Sequence, residues 1–503
     1  MPSKSRLVAT ALALVTLLSA SASQASAARD GASLPDRVSP APALETSAAA
    51  GTRARLLFWN RTAIDASGLD HTHPGPDDDW TFGQQLGPGR SSRALAIVQV
   101  AVFEAVNAIA GGYASYVGLP AAKSNTSIDA AIMYAAHDTL VALYPSQQPR
   151  LEALLAQDLA RLTTRGRMFA DGVLVGRRAA FAVLALRRGD GSEIPEPLVD
   201  AEWPTSDAAG HWRQDPISRI PLALGARWGE VKPFVLTSAD QFRVPPPPSM
   251  TSDAYTAAYN EVQQYGGVTP TIRTEEQTQI GIYWAYDGTP SLCAPPRLYN
   301  QITTHIADLE GTDTAGLARL LALVNTAMAD AGIAIWESKY HYDFWRPITG
   351  IRESDPGTGP TGSGDGNPDT AGDPAYVPLC APASNSTGSN FTPPFPAYPS
   401  GHAGFGGALF ETLRLFYGTD AIPFTFVSDE FNGVTKDNGG NIRPLLPRSF
   451  ATLSQAEEEN GQSRIYLGIH WAFDKTAGIA QGRQVADWVF AHAFTPNPRK
   501  PGK

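Results

Sequence analysis

Three short blocks in the C-terminal half of the chain carry residue types that could hold a small, highly charged anion. They are Lys339-Tyr340-His341-Tyr342-Asp343-Phe344-Trp345-Arg346-Pro347, then Pro399-Ser400-Gly401-His402, then Ser463-Arg464 running through His470 to Asp474. Lys339 and Arg346 are seven positions apart, two helical turns, so one helix face could present both cations. Pro347 puts Arg346 at the end of that helix. Ser400 and Gly401 follow a run of prolines and open an apolar stretch. A hydroxyl, a backbone N–H and His402 therefore fall at a helix N-terminus, where free N–H groups and the helix dipole favour anions. Arg464 adds a planar fork of donors. His470 and Asp474, four apart on a helix, let the carboxylate accept from one ring nitrogen and leave the other its lone pair. Singly these residues are more often structural than chemical. Jointly, three cations, a serine and two histidines suit a tetrahedral oxyanion.

The elements that must position them read as helices. Apolar residues recur at three- and four-residue spacing over Ala94 to Ile109 and again over Ala130 to Leu143, and residues 150–188 read as two helices broken near 163–167. Residues 189–250 are loop-like, rich in Pro and Trp. Helix-length apolar stripes then cover 274–286, 297–309, 314–340, 401–417 and 476–490. No sustained β alternation and no internal repeat is visible. The expected fold is mainly α, built as helical bundles, drawn as two four-helix bundles with the anion site in the C-terminal one. The expected boundaries are a signal peptide at 1–27, a linker or extended arm at 28–54, an N-terminal helical region at 55–250 ending in a Pro-rich loop, and the site-bearing bundle at 251–497.

Composition narrows the function classes. Among 503 residues, Asp+Glu number 49 against Lys+Arg 39, a formal charge of −10, which argues against nucleic acid or an anionic membrane as the main partner. Lys4 and Arg6, the apolar run Leu7 to Leu18 and Ala25-Ser26-Ala27 read as a secretory leader cleaved after Ala27, so the expected destination is outside the cell. The run is too short for a span, and no later segment reads as long and apolar enough. Two cysteines exclude a disulfide scaffold or a cysteine-ligated cluster; Cys293 and Cys380 read equally as a disulfide or as two buried thiols. Asp365, Asn367 and Asp369 have the spacing of an EF-hand's first ligands, but Thr370 and Tyr376 replace its glycine and final glutamate, so the loop is read without calcium. His71-Thr72-His73 reads as an exposed polar loop rather than a metal site.

The pattern Lys-x6-Arg-Pro, Pro-Ser-Gly-His and Ser-Arg-x5-His-x3-Asp resembles the signature of the vanadium-dependent haloperoxidases, shared with type 2 phosphatidic acid phosphatases and bacterial non-specific acid phosphatases. Trp336, the segments Phe395 to His402 and Leu467 to Trp471, and Tyr283-Trp284-Ala285-Tyr286-Asp287-Gly288 resemble the chloroperoxidase-like members. The resemblance implies vanadate bound at His470, with Lys339, Arg346, Arg464, the Ser400 hydroxyl and the Gly401 N–H on its oxygens. It further implies His402 as acid–base, Lys339 polarising the oxygen that a halide attacks, Asp474 orienting His470 and Asp287 pairing with Arg464. Trp336 and Phe395 would desolvate the halide, chloride or bromide. The implied partners are hydrogen peroxide, a halide ion and a small organic acceptor; the oligomeric state stays open, a homodimer included. Two alternatives stand beside this reading. One is a secreted acid phosphatase with His470 as the phosphorylated nucleophile; the other is a non-catalytic oxyanion binder, which has no need of both histidines and Asp474.

Overall fold

Residues 51–498 are described by the computed structural model; the leader and nearly all of the arm read from the sequence lie outside them. Helices α1 (Thr52–Asp70), α2 (Gly87–Ala110), α3 (Ile128–Leu143), α4 (Gln148–Arg161) and α5 (Gly166–Leu186) precede a long irregular stretch. Beyond it come α6 (Asp253–Gly266), α7 (Glu275–Tyr283), α8 (Pro296–Leu309), α9 (Thr314–Tyr342) and α10 (Pro347–Arg352). A second irregular stretch leads to α11 (Gly401–Tyr417), the strands β1 (Phe424–Asn432) and β2 (Leu445–Phe450), α12 (Leu453–Tyr466) and α13 (Ala472–His492). The fold is mainly α, as the periodicity predicts.

Helix ends follow local chemistry. Asp313 accepts from Gly316 N at 2.7 Å to start α9, Thr274 and Gln277 form a reciprocal cap on α7, and Ser400 caps α11 by accepting from Ala403 N. Gly418 ends α11 in the left-handed conformation. Helix α9 is buried at every position from Leu317 to Trp336, where it packs against α2, α11 and α13. One hydrophobic core runs from Leu56 on α1 to Val489 on α13, through helices on both sides of residue 250.

Glycines let α11 and α13 touch backbone to backbone. A Cβ on Gly482 would lie 2.0 Å from Gly404 O, and one on Gly478 would lie 2.5 Å from Ser400 O. This contact brings the N-termini of the two helices together, with Ser400 N donating to Asp474 O at 3.0 Å.

Several expectations need correction. Helices α1, α6 and α12 are not among the expected ones: α6 buries a short stripe of Tyr255, Ala258, Tyr259 and Val262, whereas charged pairs take up part of the buried faces of α1 and α12, where Arg55 meets Asp158 at 2.9 Å and Glu457 receives both Arg414 and Arg483. The β1–β2 hairpin is antiparallel, Phe424 opposite Phe450, and its alternation is broken by a register shift between Val427 and Asn432. Helices α2 and α9 are long and apolar enough to cross a membrane, contrary to the sequence reading, but 94% and 100% of their most apolar windows are buried inside this protein. The cysteines, open between a disulfide and two thiols in the sequence, are both buried free thiols: Cys293 Sγ lies 2.9 Å from Ser67 Oγ, and Cys380 Sγ lies 3.8 Å from Thr392 Oγ1.

Candidate active site

Lys339 sits near the C-terminus of α9, one turn beyond Trp336. Its ammonium group is fully buried and donates to the carbonyls of Pro396 (2.8 Å) and Ala397 (2.9 Å), which lie on the strand of chain leading into α11. The same nitrogen lies 5.1 Å from the Phe395 ring centre and 5.7 Å from that of Trp336. Burial, reinforced by Arg346, pushes its pKa well below the usual lysine range.

Arg346 is not on the same helix face as Lys339. Helix α9 stops at Tyr342, Asp343 turns left-handed with φ 51°, and Arg346 becomes the N-cap of α10. Segment 210–212 pins this break: Trp212 N donates to Asp343 O at 2.8 Å, Trp345 N donates to Gly210 O at 3.0 Å, and His211 Nδ1 reaches Asp343 Oδ2 at 3.0 Å. Arg346 Nε donates to Phe395 O at 2.9 Å and Nη1 to Ile469 O at 2.8 Å. Burial lowers its pKa to about 9.

His470 also departs from the helical geometry read from its spacing. It precedes α13, whose N-cap is Trp471, and Asp474 stands at the third helical position. One carboxylate oxygen, Asp474 Oδ2, accepts from the Trp471 backbone N at 3.0 Å and from His470 Nδ1 at 2.8 Å. The helix cap and the histidine orienter are thus the same atom, and the pairing survives the change of geometry. Nδ1 therefore carries the proton and Nε2 keeps its lone pair, into which Arg346 Nη1 donates at 3.0 Å. Burial and the cations Arg346, Lys339 and Arg464 hold His470 well below the ordinary histidine range.

Arg464 comes from the last turn of α12 and pairs through Nη2 with Asp287 Oδ1 at 2.7 Å, across 177 positions of sequence. Asp287 follows Tyr286, whose φ of 45° bends the chain after α7. Burial pushes the Asp287 carboxyl above its usual range although Arg464 pulls it back. His402, in the first turn of α11, donates from Nε2 to the Ala285 carbonyl and lies 3.8 Å from Asp287 Oδ1. Tyr299 Oη and Asn460 Nδ2 each donate to the His402 carbonyl at 3.0 Å. Burial, then Arg464, keeps His402 neutral by lowering its pKa well below 6.5.

Asp287, Trp336, Phe395, Gly401, His402, Arg464 and His470 line one cavity of about 240 Å³. Lys339, Arg346 and Ser400 stand immediately behind it through the contacts above. The Ser400 oxygen accepts from Ala403 N, leaving its hydroxyl hydrogen to donate. All eleven sequence-selected residues are therefore gathered in one place. The spacing of motifs could not reveal the Ala285 carbonyl, Tyr299 or Asn460, which come from separate elements and bear no chemistry-specific signature.

The decisive feature is unsatisfied charge. Arg346 Nη2, Arg464 Nε and Arg464 Nη1 are buried without a hydrogen-bond partner among the described residues. Buried polar groups are ordinarily paired, and unpaired guanidinium nitrogens at the mouth of a helix N-terminus fit several anionic oxygens. The donor set also fits a metal oxyanion, with one imidazole lone pair for its central atom and hydrogen bonds for the rest.

The remaining candidates make other contacts. His71 is buried, correcting its reading as exposed: it donates from Nδ1 to Ser67 O at 2.8 Å and accepts at Nε2 from Gly87 N at 3.0 Å. His73 is exposed and stacks on Phe82. Asp365 and Asn367 spend their oxygens on the amides of Asn367 and Asp369, and no three-residue metal-ligand group occurs among the described residues.

A mainly helical scaffold enclosing a cation-rich pocket with one oriented imidazole defines an oxyanion-centred protein class. Comparison narrows that class. The chain is 31% identical over 506 residues to the vanadium chloroperoxidase of Curvularia inaequalis, covering 84% of this chain and 79% of that protein. It belongs to the vanadium-dependent haloperoxidase family. Residues 319–497 match the family described as the VCPO second helical-bundle domain. In fold, the chain resembles the first bacterial vanadium-dependent iodoperoxidase structure (TM-score 0.67, 24% identity, 88% of this chain and 98% of that one). It also resembles a holo-type bacterial vanadium-dependent chloroperoxidase (TM-score 0.59, 17% identity, 84% and 96%).

Proposed function

We propose that this protein binds vanadate and uses hydrogen peroxide to oxidise a halide, chloride or bromide, to hypohalous acid or its equivalent. The single observation that carries the proposal is the set of three unpaired guanidinium nitrogens of Arg346 and Arg464 beside the lone pair of His470. His470 would bind the central atom. Lys339, Arg346, Arg464, the Ser400 hydroxyl and the Gly401 N–H would hold the oxygens. When bound, vanadate supplies Lewis-acid activation of peroxide toward the halide without changing oxidation state.

The chain's own groups do the rest. Asp474 holds the proton on His470 Nδ1 and so keeps Nε2 free of one. His402, neutral before turnover, takes and returns a proton beside Asp287, as acid–base residues do when their proton is exchangeable within hydrogen-bond reach. Lys339, anchored to two carbonyls, presents its remaining donor capacity toward the anion. Trp336 and Phe395, with ring centres 5.0 Å apart, form an apolar wall that strips water from a halide. Export through the leader read at residues 1–27 is part of the same proposal.

The test uses purified apoprotein with orthovanadate, hydrogen peroxide, chloride or bromide, and monochlorodimedone. Halogenation that requires vanadate and is lost in His470→Ala supports the reading. Turnover of p-nitrophenyl phosphate without halogenation would replace it with the phosphatase.

A further inference from the structure

Helix α5 places small residues inward and large apolar ones outward. Its buried positions are Gly172, Gly176, Ala179, Ala180 and Val183, while Leu174 and Phe181 are 46% and 69% exposed. The small inner residues let α5 lie directly against the backbone of α3 and its cap. A Cβ on Gly172 would stand 2.4 Å from Ser127 O, and one on Gly176 would stand 2.5 Å from Ala131 O. The helix is therefore docked without its two large side chains, which stand seven positions, two turns, apart on the opposite face. Single exposed apolar residues are ordinary, but a pair aligned on one helix face and set among charges of one sign is the pattern of a docking surface.

The charge lies on that same face. Between positions 161 and 188 the chain carries seven arginines and one acidic residue, Asp171. Arg187 is buried against Asp190, and the other six arginines are exposed. Arg167, Leu174, Arg178, Phe181 and Ala185 follow one another at seven-, four- and three-residue steps and form one exposed stripe, bordered by Arg177 and Arg188. Among the described residues only two of the six meet a carboxylate: Arg167 lies 3.8 Å from Asp171 and Arg177 lies 3.6 Å from Asp138. The formal charge of −10 for the whole chain conceals this local excess.

We infer that the outer face of α5 docks this protein onto an anionic phospholipid surface, with Leu174 and Phe181 entering the headgroup layer and the arginines holding lipid phosphates. The inference is independent of the anion site and goes beyond the halide chemistry. Charge complementarity selects the occupant: arginine forks match phosphate oxygens, and basic clusters gain affinity from each cation brought near an anionic leaflet. Apolar side chains on a helix lying in the interface plane add the burial that charge alone lacks. The 21 residues of α5 span about 30 Å, enough to lie lengthwise on a bilayer. A second copy of the chain fits less well, because a two-fold contact would set these arginines against their own counterparts.

The experiment is co-sedimentation of the full chain with vesicles of phosphatidylglycerol or of phosphatidylcholine. Binding to phosphatidylglycerol is expected, at least tenfold tighter than to phosphatidylcholine and lost as salt rises from about 50 to 500 mM. The double variant Arg167→Glu, Arg178→Glu should weaken it at least tenfold and Phe181→Ser at least fivefold, with Tm and halogenation unchanged in both. No binding to phosphatidylglycerol, equal binding to the two lipids, or binding that neither variant alters overturns the inference. Retention on immobilised polyglutamate without vesicle binding gives the face to an acidic protein instead. A concentration-dependent dimer that Phe181→Ser dissociates, again without vesicle binding, gives it to a second copy.

Discussion

His470 Nδ1 and the Trp471 amide share one acceptor, Asp474 Oδ2, at 2.8 and 3.0 Å. The oxygen that starts α13 also sets the tautomer and direction of the imidazole. Removing such a partner ordinarily weakens a metal ligand 10–100-fold. Asp474→Ala is expected to weaken orthovanadate binding by about that factor, and Asp474→Asn, whose amide oxygen can still accept, by less. Titration of the apoprotein checks it; equal affinity for all three proteins would remove the orienting role.

Arg346 and Arg464 keep buried nitrogens without partners. A charge-assisted hydrogen bond contributes about 1.5–3 kcal/mol, or roughly tenfold or more in affinity. Arg346→Ala and Arg464→Ala should each lower the affinity of the apoprotein for inorganic phosphate or vanadate by at least about tenfold, read by calorimetry. Unchanged phosphate affinity in both variants contradicts an anion cage.

His402 is neutral, buried and within reach of Asp287. Its replacement should act on turnover more than on cofactor binding. For His402→Ala the halogenation rate is expected to fall by roughly 10²–10⁴, the usual contribution of a positioned acid–base group. Vanadate affinity, measured separately, should fall much less; a parallel loss of both would assign the residue to binding alone.

Gly482 lies on the backbone contact between α13 and α11, where a Cβ would sit 2.0 Å from Gly404 O. Rigid backbone on both sides leaves no side chain to yield. Gly482→Ala is expected to destabilise the fold by about 1–3 kcal/mol or more as an overpacked site, seen as a lowered Tm. Gly440→Ala, in an exposed turn with no atom near the added Cβ, isolates the cost of the backbone conformation alone.

Glu430 is buried beside Arg443 and Ser384, with Oε1 unpaired, and burial raises its pKa from 4.5 to about 7. The folded state then binds this proton more tightly than the unfolded chain does. The resulting stabilisation is present below about pH 4.5 and is lost as pH rises toward 7. Glu430→Gln removes the titration, so the decline in Tm from pH 5 to pH 8 should be shallower in the variant than in the wild type. An identical slope in both excludes Glu430 as its source.

Much of the helical layout was legible because its signals are short-range. Ser400 behind a proline run marks the start of α11, and the apolar continuity of 314–340 finds α9 to within two residues of its end at Tyr342. Helices α1 and α12 escaped because Arg55 and Glu457 are buried with partners from distant elements, Asp158 on α4 and Arg483 on α13. A periodicity argument counts such residues as solvent-facing. The same limitation misread His71, whose two ring nitrogens are both satisfied by backbone at the end of α1 and the start of α2.

The chain by itself determined the chemistry on offer: three cations, two histidines, a capping serine and an orienting carboxylate, each in a motif whose meaning is local. Only the tertiary structure decided how those motifs meet. Lys339 and Arg346 point to one pocket through a left-handed break rather than a continuous helix face, and Asp287 meets Arg464 across most of the C-terminal half. Spacing along a chain fixes geometry only over a few residues, whereas these distances depend on how closely glycine-lined helices pack and on where loops are pinned against them.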